Sequence, residues 1–462
     1  MSIMRNPRFS RAEAWALIRL AVPVFAGQIA QIAMSFVDTL VAGRYGSVDM
    51  AAVSVASSFW IPGIMFGQGL LMAITPLAAQ ACGAGDREGA RACMRQGLWI
   101  AAVLAALLMA GFHGAAGIIA SWESLDPLMA AKTASYLEAV LWGVPAMMLF
   151  GLQKSFLEGT GRTRPAMIAG FVGLALNIPL NIVFVFGLCG FPEMGAAGCG
   201  AATAVLLWAM AATLAFFVRR SDAAAWSVRR PDFSLLSRLA GLGLPSALAL
   251  LNETSAFALI AVIVAPLGVA QVAGHQVAGN ISALVWMVPY SLGMASCIRM
   301  GMYLGAGDTE RARNARGTSL CMSLAAALVI SLAVYGFRHM IAGIYSDDAP
   351  VVEVAAALLF CEALYQFPDA VQTNTLFALR AWNDTCSVFM GSFLAYWVVS
   401  LPLGWMLCFG HVPGVAALGA LGFWLALVGG LGLAGIFYLF RLRRLERLDP
   451  ESMRKRIRSA GA

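Results

Sequence analysis

Three acidic side chains lie inside long apolar runs of this sequence, at Asp38, Glu253 and Asp369. An ionisable group in such a run is costly to bury and is by default a candidate for function. Tyr365 lies four residues before Asp369, which puts both side chains on one face of a helix. Because a buried carboxylate can bind a proton or a hard cation, these residues predict ion-coupling chemistry.

The depth of a candidate can be estimated from the nearest basic residue, because a helix rises about 1.5 Å per residue. The separation of Glu253 from Arg238 gives about 22 Å, and that of Asp369 from Arg380 gives about 16 Å. Both carboxylates are therefore expected near the middle of a membrane, where they could share one cation. A carboxylate serves Na⁺ and H⁺ equally well, so both ions stay open.

A second polar layer is expected in the first half of the chain, at a depth of about 24 to 28 Å. It comprises Asp38, Asn181 and Thr203, and Asn177 lies one turn below Asn181 on the same helix face. Asn177 and Asn181 are one turn apart, and Pro179 between them frees a backbone carbonyl. Carboxylate, amide, hydroxyl and carbonyl oxygens are the ligands that hard cations prefer, so this layer is a further candidate ion site.

Other side chains could line a cavity for an organic cation, since the faces of aromatic rings attract cations. Packing alone would explain the aromatic residues nearly as well. The candidates are Phe257, Trp286, Tyr290, Gln276 and Gln31. Glu138 and Glu362 also lie in apolar runs, but we expect them nearer the outer ends of their helices, where water reaches.

The sequence lacks the motifs of common catalytic chemistry. None of its lysines follows a glycine-rich loop, so it has no P-loop for ATP, and it contains neither H-E-x-x-H nor G-x-S-x-G. We therefore expect no enzyme and no bound cofactor. An ion gradient is the expected energy source, at about 2.3 kcal/mol per charge for each 100 mV.

The nine cysteines include no C-x-x-C pair, which argues against a zinc ribbon or a thioredoxin motif. Cys189 and Cys199 flank one short loop and could form a disulfide. Two independent thiols at helix ends are the favoured interpretation.

The composition places all of these residues in a membrane protein. Hydrophobic residues make up 60% of the chain and charged residues 12%, against roughly 45–50% and 25% in soluble domains. This excludes a soluble enzyme and, despite the net charge of +7, a nucleic-acid-coating protein. Apolar stretches long enough to cross a bilayer as helices are predicted at about 15–43, 50–80, 95–120, 130–153, 165–188, 197–218, 236–266, 270–301, 316–338, 352–379, 386–409 and 414–440.

Basic residues divide the connections between these stretches into two sets. Of the 31 Lys and Arg residues, all except Arg44, Lys132 and Arg338 fall at the two ends of the chain or in alternate connections. By the positive-inside rule, both termini are expected in the cytoplasm. Twelve crossings are the even number that this orientation requires.

An internal repeat relates the two halves by one constant shift in residue number, without gaps. The shift that places Pro23 over Pro245 also places the segment 83–86 (GAGD) over 305–308 (GAGD). Because each half crosses the membrane an even number of times, the halves share one orientation and are expected to be related by an axis along the membrane normal. The two glycine-rich loops are expected to be structural.

The predicted fold is therefore an all-α polytopic membrane protein with twelve transmembrane helices. They form two six-helix bundles related by a pseudo-two-fold axis along the membrane normal. The first bundle is expected at residues 1–220 and the second at 236–440. A cytoplasmic linker at 221–235 joins them, and a basic cytoplasmic tail follows at 441–462.

These motifs together resemble the multidrug and toxic compound extrusion (MATE) transporters. The run 36–43 (FVDTLVAG) is similar to the signature of the first helix, and 176–181 (LNIPLN) and 198–200 (GCG) to signatures of the fifth and sixth. Glu253 in 252–257 (NETSAF) and Asp369 in 365–369 (YQFPD) look like the second-half carboxylates of the NorM-type branch. The resemblance covers nearly the whole chain.

The resemblance implies an exporter with a V-shaped cleft that exchanges Na⁺ or H⁺ for organic cations and other amphipathic toxins. It assigns cation coupling to Glu253 and Asp369, with Tyr365 nearby. A second polar site is implied at Asp38, Asn177, Asn181 and Thr203. The sequence departs from some relatives at Trp286, where they have a tyrosine, and at Pro368, directly before Asp369.

The expected setting is the inner membrane of a bacterium, where such a protein would contribute to antibiotic resistance. The expected partners are small organic cations and membrane lipid, with no nucleic acid and no protein partner required, so that the chain acts as a monomer. The alternative is a flippase for lipid-linked saccharide precursors. That function calls for a cationic cavity, whereas the deep groups here are acidic.

Overall fold

The computed structural model describes residues 9–122, 126–414 and 416–448. Within these ranges the chain is helical and contains no strand. The described residues include 12 helices that are long and apolar enough to cross a membrane, which confirms the predicted number. In chain order, α1 to α12 are Arg11–Tyr45, Ser47–Gly83, Arg87–Ala120, Pro127–Gly159, Arg164–Phe186, Ala196–Trp226, Phe233–Leu267, Val269–Gly305, Thr309–Tyr345, Ala349–Ala381, Thr385–Cys408 and Ala420–Leu445.

The outer surface of these helices is strongly apolar. Large side chains such as Leu107, Val329 and Ile436 are more than half exposed although they lie in the middle of helices. An apolar surface of this kind is stable in lipid and not in water. The protein is therefore an integral membrane protein, and its helices satisfy their own backbone hydrogen bonds.

The internal repeat appears directly in the helix boundaries. The shift that places Pro23 over Pro245 also places the start of α1 over that of α7, and the start of α3 over that of α9. Asp86 caps α3 by accepting the backbone N–H of Gly89 at 2.8 Å, and Asp308 caps α9 by accepting that of Arg311 at 2.9 Å. The repeated loops are thus helix-capping turns, a structural role of the kind that the sequence predicted without specifying the cap.

The backbone geometry of these loops explains why they contain glycine. Gly85 and Gly307 adopt φ values of 74° and 80°, in the left-handed region that other residues disfavour. Each loop can therefore reverse the chain tightly before the capping aspartate.

The linker between the halves is shorter than predicted. α6 continues past residue 221 to Trp226, and α7 begins at Phe233. Two side chains of α3 hold the end of α6: Arg91 forms an ion pair with Asp222 at 2.8 Å, and the guanidinium of Arg95 donates to the carbonyl of Ala224. These bonds keep the segment helical where the sequence predicted the start of the linker.

Contacts divide the chain into two compact units that differ from the predicted halves. The first unit is Val22–Ala247, and the second is formed by Leu248 onwards together with the start of α1 as far as Ala21. Leu17 packs in one cluster with Leu292 and Ala295, which explains why the start of α1 belongs to the second unit. The first part of α7 belongs to the first unit because Leu239 and Leu242 join that unit's core.

Several helices contain local breaks. α2 is interrupted between Leu71 and Ile74, α8 is interrupted at Trp286, and α11 contains a π-helical stretch at Leu394–Ser400. Short π-helical stretches frequently occur at functional sites.

The last helix begins six residues later than the sequence predicted. Gly414 and Gly419 have φ values of 82° and 59°, which keep the chain in a loop until Ala420. The helix ends at Leu445. Of the predicted tail at 441–462, residues 449–462 lie outside the described part of the chain.

Candidate functional site

The first candidate site lies in the first unit and centres on Asp38 of α1. Two amides of α5 converge on it: Asn177 Nδ2 donates to Asp38 Oδ1 at 2.8 Å, and Asn181 Nδ2 donates to the same oxygen at 2.7 Å. Their spacing of one helical turn puts both side chains on the face of α5 that meets α1. The structure thus brings together three of the four residues that the sequence assigned to this polar site.

The oxygens of the two amides are also candidates for ligands. Asn177 and Asn181 are fully buried, and the Oδ1 atom of each has no hydrogen-bond partner among the described residues. A buried polar atom without a partner is costly and needs an explanation. Two such oxygens close to a carboxylate form a set of hard ligands that a small cation could complete.

Thr203 takes part less directly than predicted. Its hydroxyl donates to the carbonyl of Cys199 in its own helix at 2.9 Å. It also hydrogen-bonds to Tyr136 of α4, whose other partner is Ser57 and which is close enough to Asp38 to interact with it electrostatically. Tyr136 was missed in the sequence, because a single tyrosine in an apolar run carries no distinguishing pattern.

The glycine motif at 198–200 positions this part of the site. A Cβ atom on Gly198 would lie 2.6 Å from the carbonyl of Phe184, and one on Gly200 would lie 2.7 Å from the carbonyl of Tyr136. Both distances are too short for real atoms. The two glycines therefore allow α6 to approach α5 and α4 closely, which sets the distance between Thr203 and Tyr136.

The second candidate site lies in the second unit and centres on Asp369 of α10. Its side chain is 1% exposed. Thr373, one turn later, donates to Asp369 Oδ1 at 3.2 Å, while Oδ2 has no hydrogen-bond partner in the described chain. The half-buried Glu253 of α7 is close enough to repel this carboxylate electrostatically.

Two tyrosines connect the acidic residues of this site. Tyr396, in the π-helical stretch of α11, hydrogen-bonds to Glu253 and also to Tyr365. Tyr365 interacts electrostatically with both Glu253 and Asp369. The structure therefore joins Glu253, Asp369 and Tyr365 as the sequence suggested, and it adds Tyr396, for which the sequence offered no signal.

Trp424 of α12 forms the aromatic centre beside this site. Its ring contacts those of Phe257 and Tyr365 edge-on, with centroids 6.3 Å and 6.1 Å apart, and its Nε1 donates to His275 Nδ1 at 3.2 Å. Phe257 is therefore part of a packed aromatic cluster. Its predicted contact with a substrate stays a prediction.

The other cavity candidates are distributed over both units. In the second unit, the rings of Trp286 and Tyr290 are in tilted contact at the break in α8, with centroids 4.7 Å apart. The exposed Gln276 donates to Asn280 at 3.2 Å. Gln31 lies half-buried in the first unit. Their roles as cavity residues stay predictions.

The expectation for Glu362 was wrong. It was placed near water at an outer helix end, but its side chain is fully buried in α10. Gln366 Nε2 donates to its Oε1 at 2.5 Å, and its Oε2 has no hydrogen-bond partner among the described residues. Distance along a helix did not reveal that neighbouring helices cover this face. Glu138, in contrast, is exposed as expected, with 57% of its side chain accessible.

Within the ranges that the structure describes, no group of three or more His, Cys, Asp and Glu side chains is arranged to hold a metal ion. A Na⁺ ion at Glu253 and Asp369 would therefore need hydroxyl or carbonyl ligands as well. Cys189 and Cys199 are both free thiols, as the sequence favoured.

Comparisons with known proteins agree with this architecture. The family model described as MatE matches the chain twice, over residues 23–183 and 245–406. The two matched segments begin at Pro23 and Pro245, which the internal repeat places over each other. Together they cover well over half of the chain.

Solved structures share the fold over nearly the full length. The eukaryotic MATE transporter AtDTX14 superposes with a TM-score of 0.83 at 18% identity, covering 98% of this chain and 99% of that one. The bent form of the Vibrio cholerae MATE transporter VcmN gives 0.81 at 19% identity, with 97% and 98% covered. A MOP superfamily transporter from Pyrococcus furiosus, for which reverse polarity of the binding pocket suggests a different function, gives 0.82 at 18% identity, with 97% and 99% covered.

Proposed function

Because this chain belongs to the MatE family, whose members are membrane transporters and not enzymes, we propose that it is a secondary active multidrug exporter of the NorM type. It exchanges Na⁺ or H⁺ for organic cations and other amphipathic compounds. The likeness to the solved structures establishes the fold. The chemistry of the two acidic sites supports this function.

One observation carries the proposal. Asp369 is buried with one carboxylate oxygen unpartnered, and within the described chain it belongs to no ion pair, while its acidic neighbour is Glu253. An ionised carboxylate in such surroundings is very costly unless a cation compensates it. The site therefore favours occupation by a proton or by a small cation.

Coupling follows if the ion and the substrate favour different conformations. Glu253 and Asp369, with Tyr365, bind the coupling ion in the second unit. Each ligand shifts the conformational equilibrium only by its difference in affinity for the two states. Ion binding that disfavours the substrate-bound state then drives export, and by linkage the substrate promotes release of the ion.

The first unit supplies a second ion site with the same kind of ligands. It consists of Asp38, Asn177, Asn181 and Thr203, with Tyr136 completing the layer. The transported substrate is a small organic cation, which the aromatic and amide side chains bind by cation–π and polar contacts. These side chains are Phe257, Trp286, Tyr290, Gln276 and Gln31.

The alternative function, a flippase for lipid-linked saccharide precursors, is less well supported. Such a substrate is anionic and needs basic groups inside the protein, whereas the deep carboxylates Asp38, Glu253 and Asp369 outnumber the buried Arg380, which interacts electrostatically with Glu253. The fold alone is compatible with both the exporter and the flippase, since the Pyrococcus furiosus transporter with the reversed pocket matches as well as the others.

The proposal includes the setting in which the protein works. Its membrane is the bacterial inner membrane, with both termini on the cytoplasmic side, because the basic residues collect in the connections assigned to that side. The coupling ion is Na⁺ or H⁺ and no other cofactor takes part. The chain acts as a monomer in contact with lipid, and it binds no nucleic acid.

The test is efflux of the fluorescent cation ethidium from proteoliposomes that contain the purified full-length chain. A Na⁺ jump and a pH jump are imposed separately. We expect the wild type to respond to at least one of them, and Asp369→Asn and Glu253→Gln to lose the response. Glu138→Gln is the matched control, since its carboxylate is exposed.

The proposal fails if the wild type responds to neither gradient. It also fails in its assignment of residues if both neutral variants transport ethidium at the wild-type rate. Size-exclusion profiles of each variant establish that a loss of efflux does not come from misfolding.

A further inference from the structure

Glu362 is a second buried acid on α10, two helical turns before Asp369. Two turns return a side chain to the same face of a helix, so the two carboxyl groups project in the same direction about 10 Å apart along the axis. Glu362 is the nearer of the two to the start of α10, the end expected outside the membrane. The proposed function assigns it no role.

Its immediate surroundings are polar but uncharged. Gln366 donates to Oε1 at 2.5 Å, Ser282 of α8 hydrogen-bonds to the carboxyl group, and Oε2 has no hydrogen-bond partner among the described residues. The side chain is 0% exposed. A carboxyl group is thus held in place by neutral donors, with one oxygen left over.

Among the described residues, the titratable groups around Glu362 provide no positive charge. On α10 they are Asp369, Tyr365 and Cys361. On α8 the neighbouring Ser282 does not titrate. His275, two turns earlier, accepts a hydrogen bond at Nδ1 from Trp424 of α12. From α9, Ser331 donates to the carbonyl of Ala363.

A carboxylate that is buried in this way without a counter-charge costs several kcal/mol, unless it carries a proton or pairs with a cation. Glu253, Glu362 and Asp369 do not converge on one metal ion, since the described residues contain no group of three such side chains that could hold one. Glu362 is therefore a separate site and not a third ligand of the site at Asp369 and Glu253.

We propose that Glu362 is a further proton-binding site of the second unit, whose occupancy is linked to that of Asp369. The link is electrostatic: ionisation of one carboxyl group makes ionisation of the other more costly, and Tyr365 is close enough to interact with both. The proton bonds to a carboxylate oxygen of Glu362 and leaves it again as H⁺, so that no other reactant is needed. This inference rests on the proposed function but can be tested separately from it.

The direct test is infrared difference spectroscopy of the purified full-length chain between acidic and alkaline buffer. A protonated carboxyl group has its own C=O stretching band. We expect Glu362→Gln to lose one such band that the wild type shows, and Glu362→Asp to shift it. Glu138→Gln, the exposed control, should leave the band assigned to Glu362 unchanged. Asp369→Asn should remove a second band and move that of Glu362.

Transport provides the second measurement. Under an imposed pH jump we expect ethidium efflux to fall about tenfold in Glu362→Gln and to fall less in Glu362→Asp, which retains a protonatable group. If Glu362→Gln does not fold, the band shift in Glu362→Asp still tests the inference.

The inference is overturned if Glu362→Gln retains every carboxyl band of the wild type, or if the band of Glu362→Asp does not move. In that case the proposed function still stands, provided that the wild type shows coupled efflux and Asp369→Asn has lost it. A wild type that does not transport but shows the Glu362 band gives the opposite result: the proposed function fails and the proton site stands.

Discussion

Lys132 Nζ lies 2.5 Å from Asp49 Oδ2, and Asp49 Oδ1 accepts the backbone N–H of Ala196 at 2.9 Å. One carboxylate at the start of α2 thus binds α4 through an ion pair and caps the first turn of α6. Anionic groups are favourable at such helix starts. Tyr136 follows Lys132 by one turn on α4, so this bond also fixes the helix that carries Tyr136 towards Asp38.

The second half of the chain builds the same junction without charge. Gln271, at the repeat position of Asp49, accepts the backbone N–H of Ala420 at 2.9 Å through Oε1. Val354 takes the place of Lys132. The same junction between helices is therefore charged in the first half and neutral in the second. Both residues of the pair differ: Asp49 and Lys132 are replaced by Gln271 and Val354.

This comparison predicts the outcome of a swap in the first half. Lys132→Val leaves the 3%-exposed Asp49 without its cation and is expected to destabilise the protein by roughly 3 kcal/mol. Asp49→Gln should cost less, because the glutamine can still cap α6. The double variant should regain most of the loss. Apparent unfolding temperatures of the four proteins in detergent measure this cycle, and a double variant less stable than Lys132→Val would contradict it.

Asn181 is expected to be essential for the ion site in the first unit. Asn181→Ala removes one of the two amide donors to Asp38, and a hydrogen bond to a charged group is worth about 1.5–3 kcal/mol. We expect ion-coupled ethidium efflux to fall roughly tenfold. Thr203→Val is the comparison, since Thr203 bonds to its own helix and to Tyr136. Equal losses in the two variants would count against the direct role of Asn181.

Gly200 should not tolerate a side chain. Gly200→Ala would place a Cβ atom 2.7 Å from the carbonyl of Tyr136 and should destabilise the fold by about 1–3 kcal/mol. Gly111→Ala is the control, because no described atom lies within 4 Å of its Cβ position and alanine favours the helix. The unfolding temperature should fall in the first variant and stay or rise in the second. The packing argument fails if both behave alike.

The repeated capping turns should contribute equally to stability. Asp86→Ala and Asp308→Ala each remove a side-chain acceptor at a helix start, which typically costs about 1 kcal/mol. Both unfolding temperatures should fall by a similar amount, whereas Asp347→Ala, in an exposed connection, should have no effect. A large difference between Asp86→Ala and Asp308→Ala would show that the repeat does not extend to the energetics of these turns.

Much of the architecture could be predicted because it depends on local patterns. Apolar length identified the helices, since the bilayer sets how many residues a span needs. The constant shift between the halves located both capping turns. The contact of Asp38 with Asn177 and Asn181 could be anticipated because a spacing of one turn defines a helix face, and the depth estimate supplied the layer.

Features that depend on which helices become neighbours could not be predicted in this way. The sequence by itself determined the twelve helices, their internal repeat and the acidic character of the deep residues, because hydrophobic length, chain offset and charge are properties of single segments. Tertiary structure alone decided that Glu362 is buried, that Tyr136 and Tyr396 face acids, and that Lys132 meets Asp49. The physical reason is that packing between helices far apart in the chain sets which side chains are buried and which partners they meet. A helix face that is exposed in isolation can be covered by a neighbouring helix.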